Sequence, residues 1–391
     1  MVCWIVIPIA RSCLARARPT HLTYPTRIHP THLTYPTHPT HLTYPTHLTY
    51  PTHLTHLTYP THTTCYPVPM RYRTFGRTGW QVSEVGYGLW GMGGWTGSDD
   101  EESLRALDRA IALGCTFFDT AWAYGQGKSE SLLGQALRAR RGAQVYVATK
   151  IPPKNMRWPG KAEYPVADTY PPDHIRAYTE QSLANLGVQT IDLQQLHVWS
   201  DAWAADEGWQ RAVDDLKREK LVRAFGISVN RWEPTNVLRA LATGLVDSVQ
   251  VVYNVFDQSP EDELFPYCAS HGIAIIARVP FDEGSLTGTL TRASRWPEGD
   301  FRNAYFNPDQ LSATLDRVER LLPLVPDGMA LPELALRFIL AHPAVSTTIP
   351  GMRRPAHVER NIAASDGEKL PPRLLEALRA HRWDRTPNAV A

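Results

Sequence analysis

From Met70 onward the chain alternates short β-rich runs with stretches of helical period, eight times over, and this alternation limits the fold more than any other feature. Strands are predicted at Val85–Leu89, Thr116–Ala121, Val145–Lys150, Ile191–His197, Ala224–Ser228, Ser248–Tyr253, Ile273–Val279 and Ser346–Ile349. Between them lie helical faces: Leu104, Leu107 and Ile111 before Gly114, then Leu132, Leu133, Ala136 and Leu137, and later Val237, Leu238 and Leu241 before Gly244. Ser98 and Glu101 stand at capping-box spacing ahead of the first helix. Each return to the sheet needs a crossover, so the strands pair in parallel. Eight such units in about 320 residues predict a (β/α)8 TIM barrel. Two short runs, Tyr72–Phe75 and Gln81–Val82 around Gly76 and Gly79, predict an N-terminal β-hairpin that plugs the barrel bottom, and a C-terminal helix ends the chain. No linker interrupts residues 70–391, which we read as one domain.

Residues 1–69 have another character. Thr-His-Leu-Thr-Tyr-Pro recurs intact five times between Thr20 and Pro60. A proline every six residues removes amide donors and blocks helix and sheet alike, and one Leu and one Tyr per unit give little to bury. We expect a disordered low-complexity leader, a translated tandem repeat upstream of the true start at Met70 and not part of the native protein. Its histidines lack any Cys or carboxylate partner within the repeat, which speaks against a metal site. The apolar run Val2–Ala10 is broken by Pro8 and is far shorter than the roughly 20 residues of a membrane span.

The whole chain carries 40 basic and 39 acidic residues, a balance that excludes a nucleic-acid surface or a polybasic membrane surface as its main business. The leader holds four Arg and no acid, so residues 70–391 are net negative by three charges (36 basic, 39 acidic). Cys115 and Cys268 are the two cysteines of that part, without a CxxC or a paired framework, as expected of a reduced cytoplasmic protein without structural zinc.

Two motifs invite misreading. Gly86, Gly88 and Gly91 spell the dinucleotide fingerprint GxGxxG, but that fingerprint works only where a helix starts at the glycines, and Gly93 to Gly97 intervene. Tyr124 and Lys128 have the Tyr-x-x-x-Lys spacing of short-chain dehydrogenases, yet Gly125, Gln126 and Gly127 between them make a poor helix. Lys128 is expected to be a solvated loop lysine, and Tyr124 to find its partner elsewhere.

In a barrel the reacting groups sit at the C-terminal ends of the strands. The second strand carries Asp119, with Tyr124 in the Gly-bounded loop that follows; the third ends at Lys150; the fourth delivers His197. An acid, a phenol, an ammonium and an imidazole thus converge on one rim. Taken singly, Asp119 as a helix cap, Lys150 as a solvated strand end and His197 as a core histidine are equally good readings. Taken together they are not, because a buried lysine needs a carboxylate and the pair lies on neighbouring strands.

These residues resemble the pattern of the aldo-keto reductase superfamily. The matching segments are Phe118-Asp-Thr-Ala-Trp-Ala-Tyr-Gly125, Ser129-Glu-Ser-Leu-Leu-Gly134, Val147-Ala-Thr-Lys150, Gln195-Leu-His197, Gly226-Ile-Ser-Val-Asn230, Gln250-Val-Val-Tyr-Asn254 and Ile349-Pro-Gly351, from about Arg71 to the C-terminal helix. The resemblance implies reduction of an aldehyde or ketone by hydride transfer from NADPH, with Asp119, Tyr124, Lys150 and His197 catalytic and Tyr124 the general acid. An ammonium about 4 Å from a phenol stabilises phenolate by about 4 kcal/mol at an effective dielectric near 20, so Lys150 is expected to bring Tyr124 down into working range.

The resemblance also implies a cofactor site. Gly88, Leu89 and Trp90 lie beside it, Ser228 and Asn230 hold the nicotinamide carboxamide with help from Gln250, and Ala277 to Gly288, with Pro280, Phe281, Gly284 and Leu286, lies over the pyrophosphate. Arg278 departs from the aromatic residue that often stacks on nicotinamide, although a planar guanidinium also stacks. Gly351, His357 and Asn361 match the segment that grips the adenosine 2′-phosphate; Gly351 and His357 replace a common lysine and arginine, and Arg353 and Arg354 supply the positive charge instead, favouring NADPH over NADH. Trp90, Trp122 and Trp199 are expected to wall the substrate pocket, with the Pro-rich segment Ile151 to Pro172 at its entrance.

Two rival readings stand beside this one. One is a cofactor-binding regulatory subunit of the same family, resembling channel β-subunits; the intact four-residue set counts against it. A metal-dependent barrel hydrolase needs His and Asp clustered at strand ends, where only His197 qualifies, so no metal is expected. The expected partner is a small carbonyl compound, not a nucleic acid or a membrane, and the oligomeric state stays open.

Overall fold

The computed structural model describes residues 70–94 and 97–385. The expectations for residues 1–69 fall outside them.

The hairpin pairs β1 (Tyr72–Phe75) with β2 (Trp80–Ser83). Its inner face meets the barrel floor: Phe75 stacks on Trp80 and Phe117 at 5.7 and 5.3 Å, and Phe75 and Val82 pack with Phe117, Ala148, Leu193, Ala224 and Ile276. Gly76, at φ +50°, comes so close to the chain at Gly272 that a Cβ there would sit 2.5 Å from its carbonyl oxygen.

Eight parallel strands follow: β3 (Tyr87–Gly88), β4 (Phe117–Asp119), β5 (Tyr146–Ile151), β6 (Ile191–Leu196), β7 (Val222–Ser228), β8 (Ser248–Val252), β9 (Ala274–Arg278) and β10 (Val345–Thr348). Bridges Val85 to Thr348 and Gly88 to Gly351 close the barrel between its first and last strands. Gly86 and Gly88, two of the three fingerprint glycines, serve that closure: a Cβ on Gly88 would lie 2.6 Å from the Ile349 carbonyl oxygen, and one on Gly86 2.9 Å from Thr347 Oγ1.

The crossovers are α1 (Asp100–Ala112), α2 (Lys128–Ala139), α3 (Val166–Thr169) with α4 (Pro172–Leu186), α5 (Glu207–Arg218), α6 (Leu238–Leu241) and α7 (Leu264–His271). The last crossover holds α8 (Arg302–Tyr305), α9 (Pro308–Leu321) and α10 (Leu331–Ala341); α11 (Pro355–Ala363) and the C-terminal α12 (Pro372–Arg379) end the fold. The cap of α1 lies one residue later than expected. Asp99, not Ser98, accepts from the Glu102 amide at 2.6 Å, since a carboxylate at a helix N-terminus gains from both the bond and the dipole.

Side chains alternate across each strand, so every second residue enters the barrel. Phe117, Ala148, Leu193, Ala224 and Ile276 form an apolar lower layer. Two residues further along the same strands come Asp119, Lys150, Gln195, Gly226 and Arg278. This period-2 geometry places a polar layer at the C-terminal end of an apolar core. No helix among the described residues is long and apolar enough to cross a membrane.

Candidate active site

Asp119 ends β4 and Lys150 lies near the end of the adjacent β5. Lys150 is fully buried, and its Nζ donates to Asp119 Oδ1 at 2.5 Å, to the Thr120 carbonyl at 2.8 Å and to the Tyr124 hydroxyl at 3.3 Å. The other carboxylate oxygen of Asp119 accepts from Gln250 at 2.7 Å and Gln195 at 3.1 Å. Tyr124 reaches this group from a tight turn in which Gly125, Gln126 and Gly127 all have positive φ, 71°, 54° and 89°. At Gly125 a Cβ would lie 2.1 Å from the Gly93 carbonyl oxygen, so the turn admits only glycine there. His197 follows β6, its ring 5.6 Å from that of Tyr124 and edge-on. The structure therefore brings together all four residues expected to be catalytic.

Burial sets their electrostatics. For Lys150, burial alone disfavours the ammonium, but Asp119 and Tyr124 outweigh it and hold the amine above its ordinary value. Burial also pushes the Tyr124 phenol up; Lys150 pulls it down and Asp119 adds to the rise, and the net is a phenol above its ordinary value. This corrects the expectation that Lys150 lowers Tyr124 into the neutral range. The reason is that desolvation is the largest influence on the phenol and Asp119 adds to it, so the pull of Lys150 and Arg278 does not make up the difference. His197 is held well below its ordinary value, first by burial and then by Lys150 and Arg278, so its imidazole is neutral at pH 7. Its Nδ1 is buried without a hydrogen-bond partner.

The residues expected at the cofactor fall into two groups. Ser228 ends β7, and Arg278 ends β9 with one guanidinium nitrogen donating to the Val229 carbonyl at 3.0 Å and a buried Nε without a partner. Burial, with Arg231 nearby, pulls that guanidinium down to about 10. Arg353 lies alongside Gly91 and Gly97, and His357 on α11 is held low by burial and then by Arg360, Arg354 and Arg353, which marks a cationic cluster at the start of that helix. Gly351 and Gly284 have open space where a side chain would stand, and Phe281 is half-buried. Asn361 on α11 and Pro280 are buried.

The second group needs correction. Gln250 donates to Asp119 within the barrel, so its amide supports that buried carboxylate. Asn230 grips Gly160, accepting from its amide at 3.1 Å and donating to its carbonyl at 2.7 Å, because it stands two residues beyond Ser228, where the chain has left the strand. Leu89 and Leu286 are wholly buried in the core, as apolar side chains at a barrel wall must be, and offer no surface to a ligand. Trp199 is likewise wholly buried, edge-on to Trp203 and Trp209 at 5.6 and 5.2 Å, and is core, not pocket wall. Trp122 is half-buried against Tyr178 of α4, whereas Trp90 is exposed with its ring edge-on to Phe301. Lys128, expected in a solvated loop, opens α2 and pairs with Asp100 at 2.8 Å.

Residues 84–382 match the model of the aldo/keto reductase family. The chain belongs to that family. An uncharacterized oxidoreductase, YqkF of Bacillus subtilis, is 30% identical over 315 residues, covering 80% of this chain and 96% of that protein. An NADH-specific methylglyoxal reductase of Escherichia coli is 30% identical, covering 75% and 93%. Among solved structures, the holo form of aldo-keto reductase AKR11C1 from Bacillus halodurans is 27% identical with a TM-score of 0.65, covering 81% of this chain and 97% of that one. This aldo/keto reductase is therefore an oxidoreductase on an eight-stranded barrel.

Sequence reasoning missed two residues of the reductase's site. Gln195 holds the Asp119 carboxylate, and its signal was available: it stands two residues before His197 and so on the same strand face. Trp158 brings its ring within 6.0 Å of His197, edge-on, while remaining 44% exposed. It stands two residues before the Gly160 that Asn230 grips. Nothing in the segment's composition gave that direction.

Proposed function

We propose that this enzyme reduces an aldehyde or ketone to its alcohol with NADPH, Tyr124 acting as general acid. The observation that carries the reading is the buried chain from Tyr124 through Lys150 to Asp119, beside a neutral histidine at the open end of the barrel.

Bound NADPH supplies the hydride. As negative charge grows on the carbonyl oxygen, Tyr124 gives it the phenolic proton. A phenol with a raised pKa keeps that proton at neutral pH until it is needed. Lys150, 3.3 Å away, stabilises the phenolate left behind, and Asp119, gripped by Gln195 and Gln250, keeps the ammonium charged and aimed. The neutral His197 donates a single ring N–H to the same oxygen and fixes the carbonyl's orientation.

The chain's own residues fit a dinucleotide. Arg278 presents a buried, unpartnered Nε near Tyr124, and Ser228 ends β7, two strands away from β9 in the barrel. Arg353 and Arg354 flank the start of α11, where helix amides and guanidinium groups suit a 2′-phosphate. Arg354 also approaches Glu102 at 3.5 Å, an exposed pair weak enough to be exchanged for a phosphate. Replacing both arginines by alanine is expected to weaken NADPH about 10- to 100-fold, the worth of one or two charge-assisted hydrogen bonds, while NADH changes little. Steady-state KM values for both cofactors, across a panel of aldehydes, ketones and aldoses, test this. An unchanged preference would contradict the assignment of these arginines.

A further inference from the structure

The segment after α12 turns back onto the barrel rim. The Trp383 amide donates to the Phe256 carbonyl at 2.7 Å, which delivers Arg385 into the protein with only 6% of its side chain exposed. There it meets two buried carboxylates. Its Nε donates to Asp257 Oδ1 at 3.0 Å, and one terminal nitrogen contacts both Asp257 Oδ2 and Asp282 Oδ1, the latter at 2.9 Å. The other terminal nitrogen donates to the Tyr305 hydroxyl at 2.7 Å. Tyr305 in turn donates to Asp282 Oδ1 at 2.6 Å, and Ser285 to Asp282 Oδ2 at 2.7 Å.

Asp282 belongs to the segment after β9, and that segment is strained. Val279, Asp282 and Glu283 have φ of 57°, 44° and 54°, and Gly284 112°. Side-chain-bearing residues adopt such backbone only where the surroundings hold them. Two tethers do so from different parts of the chain: Arg231 pairs with Glu283 at 2.6 Å, and Arg385, 103 positions beyond Asp282, pairs with Asp282 itself. Arg231 also stacks over Tyr305, 4.6 Å from its ring centroid, so the tethers share that ring.

We propose that Arg385 is a positioning residue for the dinucleotide: through Asp282 it holds the loop from Val279 to Gly288 in the shape that meets the pyrophosphate. The inference rests on the assignment of that loop to the cofactor. The rigid fork of a guanidinium suits the task, because one group must bond two carboxylates and a hydroxyl at once.

The test uses the full-length protein and NADPH itself. Arg385→Ala is expected to raise the Kd and KM for NADPH at least tenfold, with kcat at saturating NADPH falling less than threefold and the carbonyl KM unchanged. Arg385→Lys, which keeps the charge without the fork, is expected to lie between. Asp282→Asn is expected to weaken NADPH as Arg385→Ala does, whereas Asp257→Asn, which leaves the bond from Arg385 to Asp282, keeps the Kd within twofold. A purely structural role treats the two carboxylates alike, so equal losses from both would overturn the proposal. So would a folded Arg385→Ala protein with wild-type Kd, or one that loses kcat alone. If Arg385→Ala does not fold, the lysine variant and the two asparagine variants decide. Gly284→Ala, which strains the backbone without meeting any atom within 4 Å, separates the two levels. If it weakens NADPH while the Arg385 variants do not, only the role of Arg385 falls; if it too leaves the Kd unchanged, the loop's assignment falls with it.

Discussion

Replacing Tyr124 by phenylalanine is expected to lower carbonyl turnover by about 10²- to 10⁴-fold, the usual worth of a positioned general acid. In barrier terms that is about 3 to 5 kcal/mol. The substitution removes one oxygen and little packing. The Tyr124 hydroxyl accepts from Lys150 at 3.3 Å, but the ammonium keeps its shorter bonds to Asp119 and the Thr120 carbonyl. The fold and NADPH affinity should therefore survive, and the loss should fall on kcat. Steady-state kinetics with a cofactor titration separate the two parameters, and wild-type turnover by a folded Tyr124→Phe protein would remove Tyr124 from the chemistry.

Lys150→Met is expected to damage both stability and rate. With the ammonium gone, the Asp119 carboxylate, 2% exposed, retains only the two glutamine amides, and a buried charge stripped of its partner costs about 3 to 5 kcal/mol. The melting temperature should fall by several degrees. The rate falls for a separate reason. Burial already holds the Tyr124 phenol above its ordinary value, and Lys150 is the main group working against that rise. Without it the phenolate formed on proton transfer loses the field of a charge 3.3 Å away, worth up to about 5 kcal/mol at an effective dielectric of 20. A fall of about 10²- to 10³-fold in kcat is expected. The double variant Lys150→Met with Asp119→Asn separates the effects: it should recover stability, since no charge is stranded, but not rate. Recovery of both would make Lys150 a structural residue alone.

The barrel was legible because strand alternation is a period-2 signal, and each strand found in the structure lies within three residues of its predicted bounds at either end. The same periodicity made Asp119, Lys150 and His197 legible, since each stands on the inward face near the end of its strand. Tyr124 was legible only through its glycine-bounded turn and the family pattern. Most of what failed lay beyond the strands, whereas Gln250, inside β8, failed because its amide turns to Asp119. Asn230 matched a residue type in a motif, but its amide turns to Gly160, because one extra residue separates it from Ser228. Trp199 and Leu89 stand in the right stretches yet face the core, and large apolar side chains read alike from sequence whether they wall a pocket or fill a layer. The sign of the Tyr124 shift was missed for a different reason: pairwise attraction to Lys150 can be reckoned without a structure, but desolvation cannot.

The most direct test of the account follows one atom. Enzyme, NADPH carrying deuterium at the transferable nicotinamide position, and a carbonyl compound that is turned over are mixed, and the alcohol is analysed by mass spectrometry. One deuterium is expected on the carbinol carbon for each NADPH consumed, in wild type and in the residual turnover of Tyr124→Phe. NADPH bound tightly with no alcohol formed from any aldehyde or ketone, or alcohol formed without the label, would contradict it.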